Sequence, residues 1–291
     1  SHELLAAASA RQIVAAFTML KGLDVHVVVT ARDPARQCVA EWQEGIKHGR
    51  TLTFEQFRRD VLDDRADTEQ AFRYRACQDL PDVLRRWATV VPAANVHVVC
   101  CPGPSADRAV LWRRFSEAVG VDPVEFPAAG RDSLNSSLGV DQIDFLRRVN
   151  IALDRRLRQP EYGRVVKQYY AQELLAVHSS AAPMVPHDMF DALAVTGKNW
   201  VRHVEESGYA VHGVLADLVP SPLVDAVTHP HHLDPAAQVV AAAGTTAELL
   251  LELARCHAEV EELTAHGLSL EKRRKKLKKQ LKRVTKVPSG R

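Results

Sequence analysis

Apolar and polar positions along the chain follow two periods, and the points where one gives way to the other mark its elements. Residues 1–20 place Leu4, Leu5, Ala8, Ile13, Phe17 and Leu20 at helical spacing, and Lys21-Gly22 ends that run. The stretch DVHVVVT, residues 24–30, is nearly continuous valine, which predicts a strand buried on both faces of a parallel sheet. Asp33-Pro34 then opens a helix over 34–47, the carboxylate capping it and the proline occupying the first turn. TFEQFRRDVL predicts a second helix with Thr53 as N-cap, and LPDVLRRWATVV, residues 80–91, a third. A second valine strand over 95–101, NVHVVCC, repeats the V-H-V-V of the first, and a helix over 105–119 follows it. Helices alternating with buried strands predict an open α/β layer, of which two strands are legible.

Farther along, the pattern is helical only, over 140–157, 161–177 and 188–207. The Pro/His-rich segment 219–235 reads as a linker, and 236–266 as a long Ala/Leu/Glu helix that continues into a basic stretch. The expected division is therefore an α/β domain over 1–218, a linker over 219–235 and a helical arm with a basic tail over 236–291. His229, His231 and His232 in the linker invite a metal reading. The prolines around them, and the want of a nearby Cys or carboxylate at ligand spacing, favour a flexible connection instead.

Composition narrows the class. A chain of 291 residues with 46% hydrophobic and 25% charged residues is that of an ordinary soluble protein. No unbroken apolar run reaches the eighteen residues of a membrane-spanning helix, and the amino end has no signal-peptide features. The chain opens on Ser1-His2-Glu3 rather than Met, as expected of one that begins inside a larger reading frame or was trimmed. Five cysteines in no metal-type spacing predict buried, reduced thiols and a cytoplasmic protein. The net charge of +2 conceals a division: residues 272–291 hold eleven Lys/Arg and no acid, which leaves 27 basic against 36 acidic residues before them.

Arg32 is the residue that raises a chemical question. In open α/β sheets ligands bind beyond the carboxyl ends of the strands, where helix N-termini direct free N–H groups into the cleft. Arg32 falls two residues past the predicted strand, and its fork of donors matches phosphate oxygens. Read from position alone, it either holds a phosphate or pairs with a nearby carboxylate.

The strand–Arg-Asp-Pro–helix segment resembles the nucleotide-binding element of the sulfotransferase family. SHELLA, ARDPARQCVAEWQEGIK, QDLPDVLRRWA, NVHVVCCP, LNSSLGVDQIDFLRRVN and YGRVVKQYY, in that order, resemble its actinobacterial branch over roughly residues 1–215. The resemblance implies a partial P-loop-like sulfotransferase domain with a parallel sheet, a helical C-terminal half and a long basic C-terminal helix. It implies transfer of a sulfuryl group from 3′-phosphoadenosine 5′-phosphosulfate to a hydroxyl or amine of a small-molecule, lipid or carbohydrate acceptor. Arg32 would hold the donor 3′-phosphate, and Glu3 or His2 would stand in the place of the general base. Asn135, Ser136 and Ser137 would donate to a phosphate or ribose, or Ser137 or a neighbour would only cap the helix near Val140. Two departures from the family are expected to impair transfer: its Lys-bearing phosphosulfate loop has no counterpart in the sequence, and Ala40 replaces its phosphate-binding serine.

The other candidates have simpler readings. Arg147 and Arg148 read as an exposed helix face. Tyr169, Tyr170, Trp42, Trp87, Trp112 and Trp200 read as packing residues, and Arg11 and Lys47 as additions to a positive cleft. In the arm, Leu249, Leu250, Leu253, Val260 and Leu263 suggest a coiled-coil seam with fewer than three clean heptads. The basic stretch 268–286 suits an anionic membrane, a nucleic acid or an acidic protein partner. The alternative to an enzyme is thus a non-catalytic scaffold of sulfotransferase type carrying this arm.

Overall fold

The computed structural model describes residues 3–107, 109–128, 137–178, 180–221 and 233–284. The chain divides into two units, residues 1–238 and 239–291. The first is mixed α/β, with helices outweighing a small parallel sheet.

Two short helices come first, α1 (Glu3–Ala6) and α2 (Ala10–Met19), where the sequence predicts one. Ser9 explains the break: its hydroxyl caps the amide of Gln12, and the Gln12 side chain returns a bond to the Ser9 amide. Strand β1 (Val27–Ala31) leads into α3 (Pro34–Lys47), with Asp33 as N-cap. Helix α4 (Phe54–Phe57), capped by Thr53, runs on into a wider turn over Arg58–Leu62. Helices α5 (Glu69–Gln78) and α6 (Leu80–Ala88) lead to strand β2 (Val96–Cys100) and helix α7 (Ala109–Val119).

Helix α8 (Val140–Leu153) ends early because Asp154 and Arg155 adopt left-handed backbone, at φ 43° and 55°. The predicted helix over 161–177 is a π-helix over Gly163–Leu174 followed by one tight turn. Helix α9 (His187–Ser207) ends at Gly208 and delivers a third strand, β3 (Ala210–His212), which three residues make too short to read from alternation.

The sheet is parallel in the order β1-β2-β3. Its central strand β2 is buried on both faces, with Val96, Val98, Val99 and Cys100 fully enclosed. Strand β1 departs from expectation. It begins three residues later than predicted, and Thr30 is exposed, because an edge strand has a neighbour on one side only. One face of the sheet, including Val27, Val29, Ala31, Val96, Val98 and Cys100, packs on Leu80 and Leu84 of α6 and Trp200 and Val204 of α9. The other face carries α7. A second core joins α3, α4, α8 and the π-helix around Trp42, Phe54, Phe57, Ile143, Leu146 and Tyr170. Of the aromatic residues assigned to packing, Trp42, Tyr170 and Trp200 are buried in these cores, and Tyr169, Trp87 and Trp112 are half-buried.

The second unit consists, over its described residues, of helix α10 (Pro235–Val284) beyond its first turn. An 18-residue window within Pro235–Leu281 has a mean hydropathy of 1.2, enough by length and composition for a membrane-crossing helix. The contrary expectation rested on unbroken apolar runs, whereas a window average tolerates one or two charges.

Helix α8 starts without a side-chain cap. Its first amides are met instead by Ala181 O at 2.9 Å and by Ser180 Oγ, which accepts from Asp141 N at 3.2 Å. That arrangement requires glycine at the N-cap, since a Cβ on Gly139 would lie 2.1 Å from Ser180 Oγ. Gly139→Ala is expected to destabilise the first unit by about 1–3 kcal/mol, measured as a lower urea midpoint at unchanged slope.

Candidate functional site

The rim at the carboxyl ends of the strands is built by strand register. Ala31 pairs with Cys100, and the Cys101 amide donates to Ala31 O at 2.7 Å. Arg32 and Cys101, each the first residue past its strand, therefore lie side by side. Arg32 is half-buried, directly after the strand rather than two residues on, and its guanidinium is within hydrogen-bonding reach of the Cys101 thiol.

Two further guanidiniums meet at this rim, and both are neutralised. Asp33, 3% exposed, accepts from the Arg36 amide at 2.9 Å through one oxygen and from Arg36 Nε through the other. Arg36 Nη1 also donates to Pro102 O at 2.9 Å. Arg114 of α7 donates at 2.7 Å both to Cys100 O and to Asp217 Oδ2. Arg32 is the exception: among the described residues it pairs with no carboxylate. Burial pushes the Cys101 thiol up, and the field of Arg32, Arg36 and Arg114 does not offset it. Cys100, also buried, is pushed up to about 11. Both thiols are thus held toward the neutral form, Cys100 in the core against α6 and α9 and Cys101 at the rim.

The remaining expected site residues fare differently. His2, Asn135 and Ser136 lie outside the described residues, as do the linker histidines His229, His231 and His232. Glu3 opens α1, whose chain is held by a 3.2 Å bond from Trp87 Nε1 to Leu5 O. Ser137 is exposed, and it does not cap α8, because Gly139 occupies the N-cap. Ala40 is a half-buried residue in α3. Lys47 is no part of a positive cleft: it is 3% exposed, 3.9 Å from Glu44, which also binds Lys167 Nζ at 2.5 Å. Burial lowers the Lys47 amine, with Glu44 acting against that. Arg147 is largely covered and bound to Asp144 at 2.7 Å, so only Arg148 of that pair is an exposed residue. Cys38, Cys100 and Cys101 are buried free thiols as expected, but Cys256 is exposed, because α10 leaves it on an open helix surface. A cleft of about 390 Å³ is lined by Glu55, Arg58, Arg59, Leu62, Asp63 and Met189, and not by Arg32.

A second constellation lies on the sheet face that bears Arg32 and Cys101. His26, His97 and His212 come from the three strand segments with a two-residue stagger, which keeps all three on one face. His26 Nδ1 is 2.8 Å from His97 Nε2, and His97 Nδ1 is 3.0 Å from His212 Nε2. At one end Asp24 lies 3.3 Å from His26; at the other Glu117 is 3.7 Å from His212 Nδ1, beyond hydrogen-bonding reach, and that buried nitrogen has no hydrogen-bond partner among the described residues. Three neutral imidazoles supply one N–H group to each of the three hydrogen bonds, which leaves His212 Nδ1 without a proton. Burial first, and then the neighbouring His212 and His26, lower the His97 pKa. Sequence reading registered both V-H-V-V repeats but as strand signals, since only register and the unpredicted third strand bring the rings together.

No family model matches the chain, and neither a curated protein nor a solved structure does.

The ladder predicts an acid response with a definite sign. His97 takes up its proton near 6.5 in the unfolded chain and only at lower pH in the folded one. Stability attributable to His97 is therefore full above that value and lost as the pH falls below it toward the lowered folded value. The melting temperature is expected to drop between about pH 7.5 and 5.5, and His97→Gln is expected to flatten that slope in thermal scans across the same range.

Proposed function

We propose that the rim at Arg32 is a nucleotide-phosphate site, and that the chain is a sulfotransferase-like α/β protein of partly P-loop-like type. The observation that carries this reading is a half-buried guanidinium at the carboxyl end of a parallel sheet with no carboxylate partner among the described residues. An uncompensated, partly desolvated charge is unfavourable by itself and favours an anion beside it. The planar fork of arginine suits a terminal phosphate better than an ammonium would. In this reading Arg32 holds the 3′-phosphate of 3′-phosphoadenosine 5′-phosphosulfate. The acceptor hydroxyl or amine attacks the sulfur and gives up its proton to Glu3 or His2, and adenosine 3′,5′-bisphosphate leaves. Asn135, Ser136 and Ser137 would serve the phosphate or ribose.

A second reading is favoured by a different observation. Asp33 already satisfies an amide at the α3 N-terminus and places a negative charge there, while Ala40 offers no hydroxyl. Phosphate binding would then rest chiefly on Arg32, giving a weak binder without transfer, a scaffold whose basic arm engages an anionic membrane, a nucleic acid or an acidic partner.

Titration calorimetry with adenosine 3′,5′-bisphosphate tests the site. The wild-type chain should bind this ligand and bind adenosine 5′-monophosphate, which lacks the 3′-phosphate, more weakly. One charge-assisted contact of about 1.5–3 kcal/mol makes Arg32→Ala weaker by roughly ten- to a hundredfold. Absence of heat at millimolar ligand, or equal affinity in Arg32→Ala, would overturn the nucleotide reading.

A further inference from the structure

From Leu249 to Leu277, α10 carries a seven-residue repeat whose intervals alternate between four and three. One set of positions, here called d, holds Leu249, Cys256, Leu263, Leu270 and Leu277, and the other, a, holds Leu253, Val260, Gly267 and Arg274. Gly267 and Arg274 are the two interruptions that keep the count of clean heptads low. Every residue of both sets is exposed, Leu263 at 63% and Val260 at 60%. On a straight helix a seven-residue repeat drifts by about 20° per heptad, so the stripe faces one direction throughout only when the helix supercoils with another.

The charges say which helix. Residues 246–265 hold five glutamates and one arginine, whereas residues 266–284 hold nine Lys/Arg and one glutamate. Two copies side by side in the same direction would set the nine-cation segments together and place Arg274 against Arg274. Two copies in opposite directions set each basic half on the acidic half of the other. Centred near residue 265, the reversed arrangement packs a positions on d positions: Leu253 on Leu277, Val260 on Leu270, Gly267 on Leu263 and Arg274 on Cys256. In the same register the flanking Glu259 faces Arg273 of the second copy. Charges beside a seam set the partner and the direction of a coiled coil.

We infer that this face of α10 is an interface for a second copy of the chain, paired antiparallel. Sedimentation equilibrium of the full chain is expected to show a dimer at about 0.1 M salt, weakened on the order of tenfold at 1 M salt as the Debye length shrinks. Cross-linking reads the direction. In the antiparallel pair the two Cys256 residues stand about 27 Å apart along the axis, at 1.5 Å per residue, too far for a disulfide. The unmodified chain under mild copper–phenanthroline oxidation should therefore form no covalent dimer. Arg274→Cys should form one with Cys256 of the second copy, and adding Cys256→Ser should abolish it. A covalent dimer of the unmodified chain that Cys256→Ser removes, or an Arg274→Cys link that survives Cys256→Ser, would mean parallel pairing and overturn the inference. So would a monomer at all concentrations, including one that leaves solution only with phosphatidylserine vesicles, and so would failure of Arg274→Cys to cross-link.

Discussion

Parallel pairing of β1 with β2 in one register is the constraint on which the rest of the first unit depends. With Ala31 opposite Cys100, Arg32 is set beside Cys101 at the rim, and His26 falls within 2.8 Å of His97 on the same face. A slip of one residue would turn both contacts to the opposite face, where α6 and α9 pack. The register is held by burial: Val96, Val98 and Cys100 are enclosed among Leu80, Leu84, Trp200 and Val204, and no other alternation buries the same set. The polar face is thus a consequence of how the apolar face packs.

The electrostatics follow the same logic. Charges taken out of water are tolerated where a partner meets them, as Asp33 meets Arg36, Asp217 meets Arg114 and Glu44 meets Lys167. Arg32 stands apart from this pattern, which makes the rim a candidate for an external anion. The histidine ladder stands apart in another way, because His212 Nδ1 is buried at its end without a hydrogen-bond partner among the described residues. Arg32 and the histidine ladder both lie on the face that carries α7.

The arm obeys a different physics. A helix of this length with apolar residues exposed along a seven-residue repeat has no core of its own, and its halves carry opposite charge. Its stability is therefore tied to whatever covers the seam, whereas the first unit encloses two cores.

Local patterns sufficed where the physics is local. The N-caps at Asp33 and Thr53, the proline opening α3 and the valine strands were legible because short-range sterics and hydrogen bonding decide them. The break at Ser9 was local too, a capping box whose apolar neighbours concealed it. Arg32 was legible as a strand-end residue, but its lack of a carboxylate partner among the described residues was not, since that depends on where Asp33 and Asp217 direct their oxygens. The burial of Lys47, the short strand β3 and the three-ring ladder arise from contacts between residues up to 115 positions apart. Residue order carries the propensity of each segment, while register and burial, which assign a side chain its neighbours, exist only after the segments have packed.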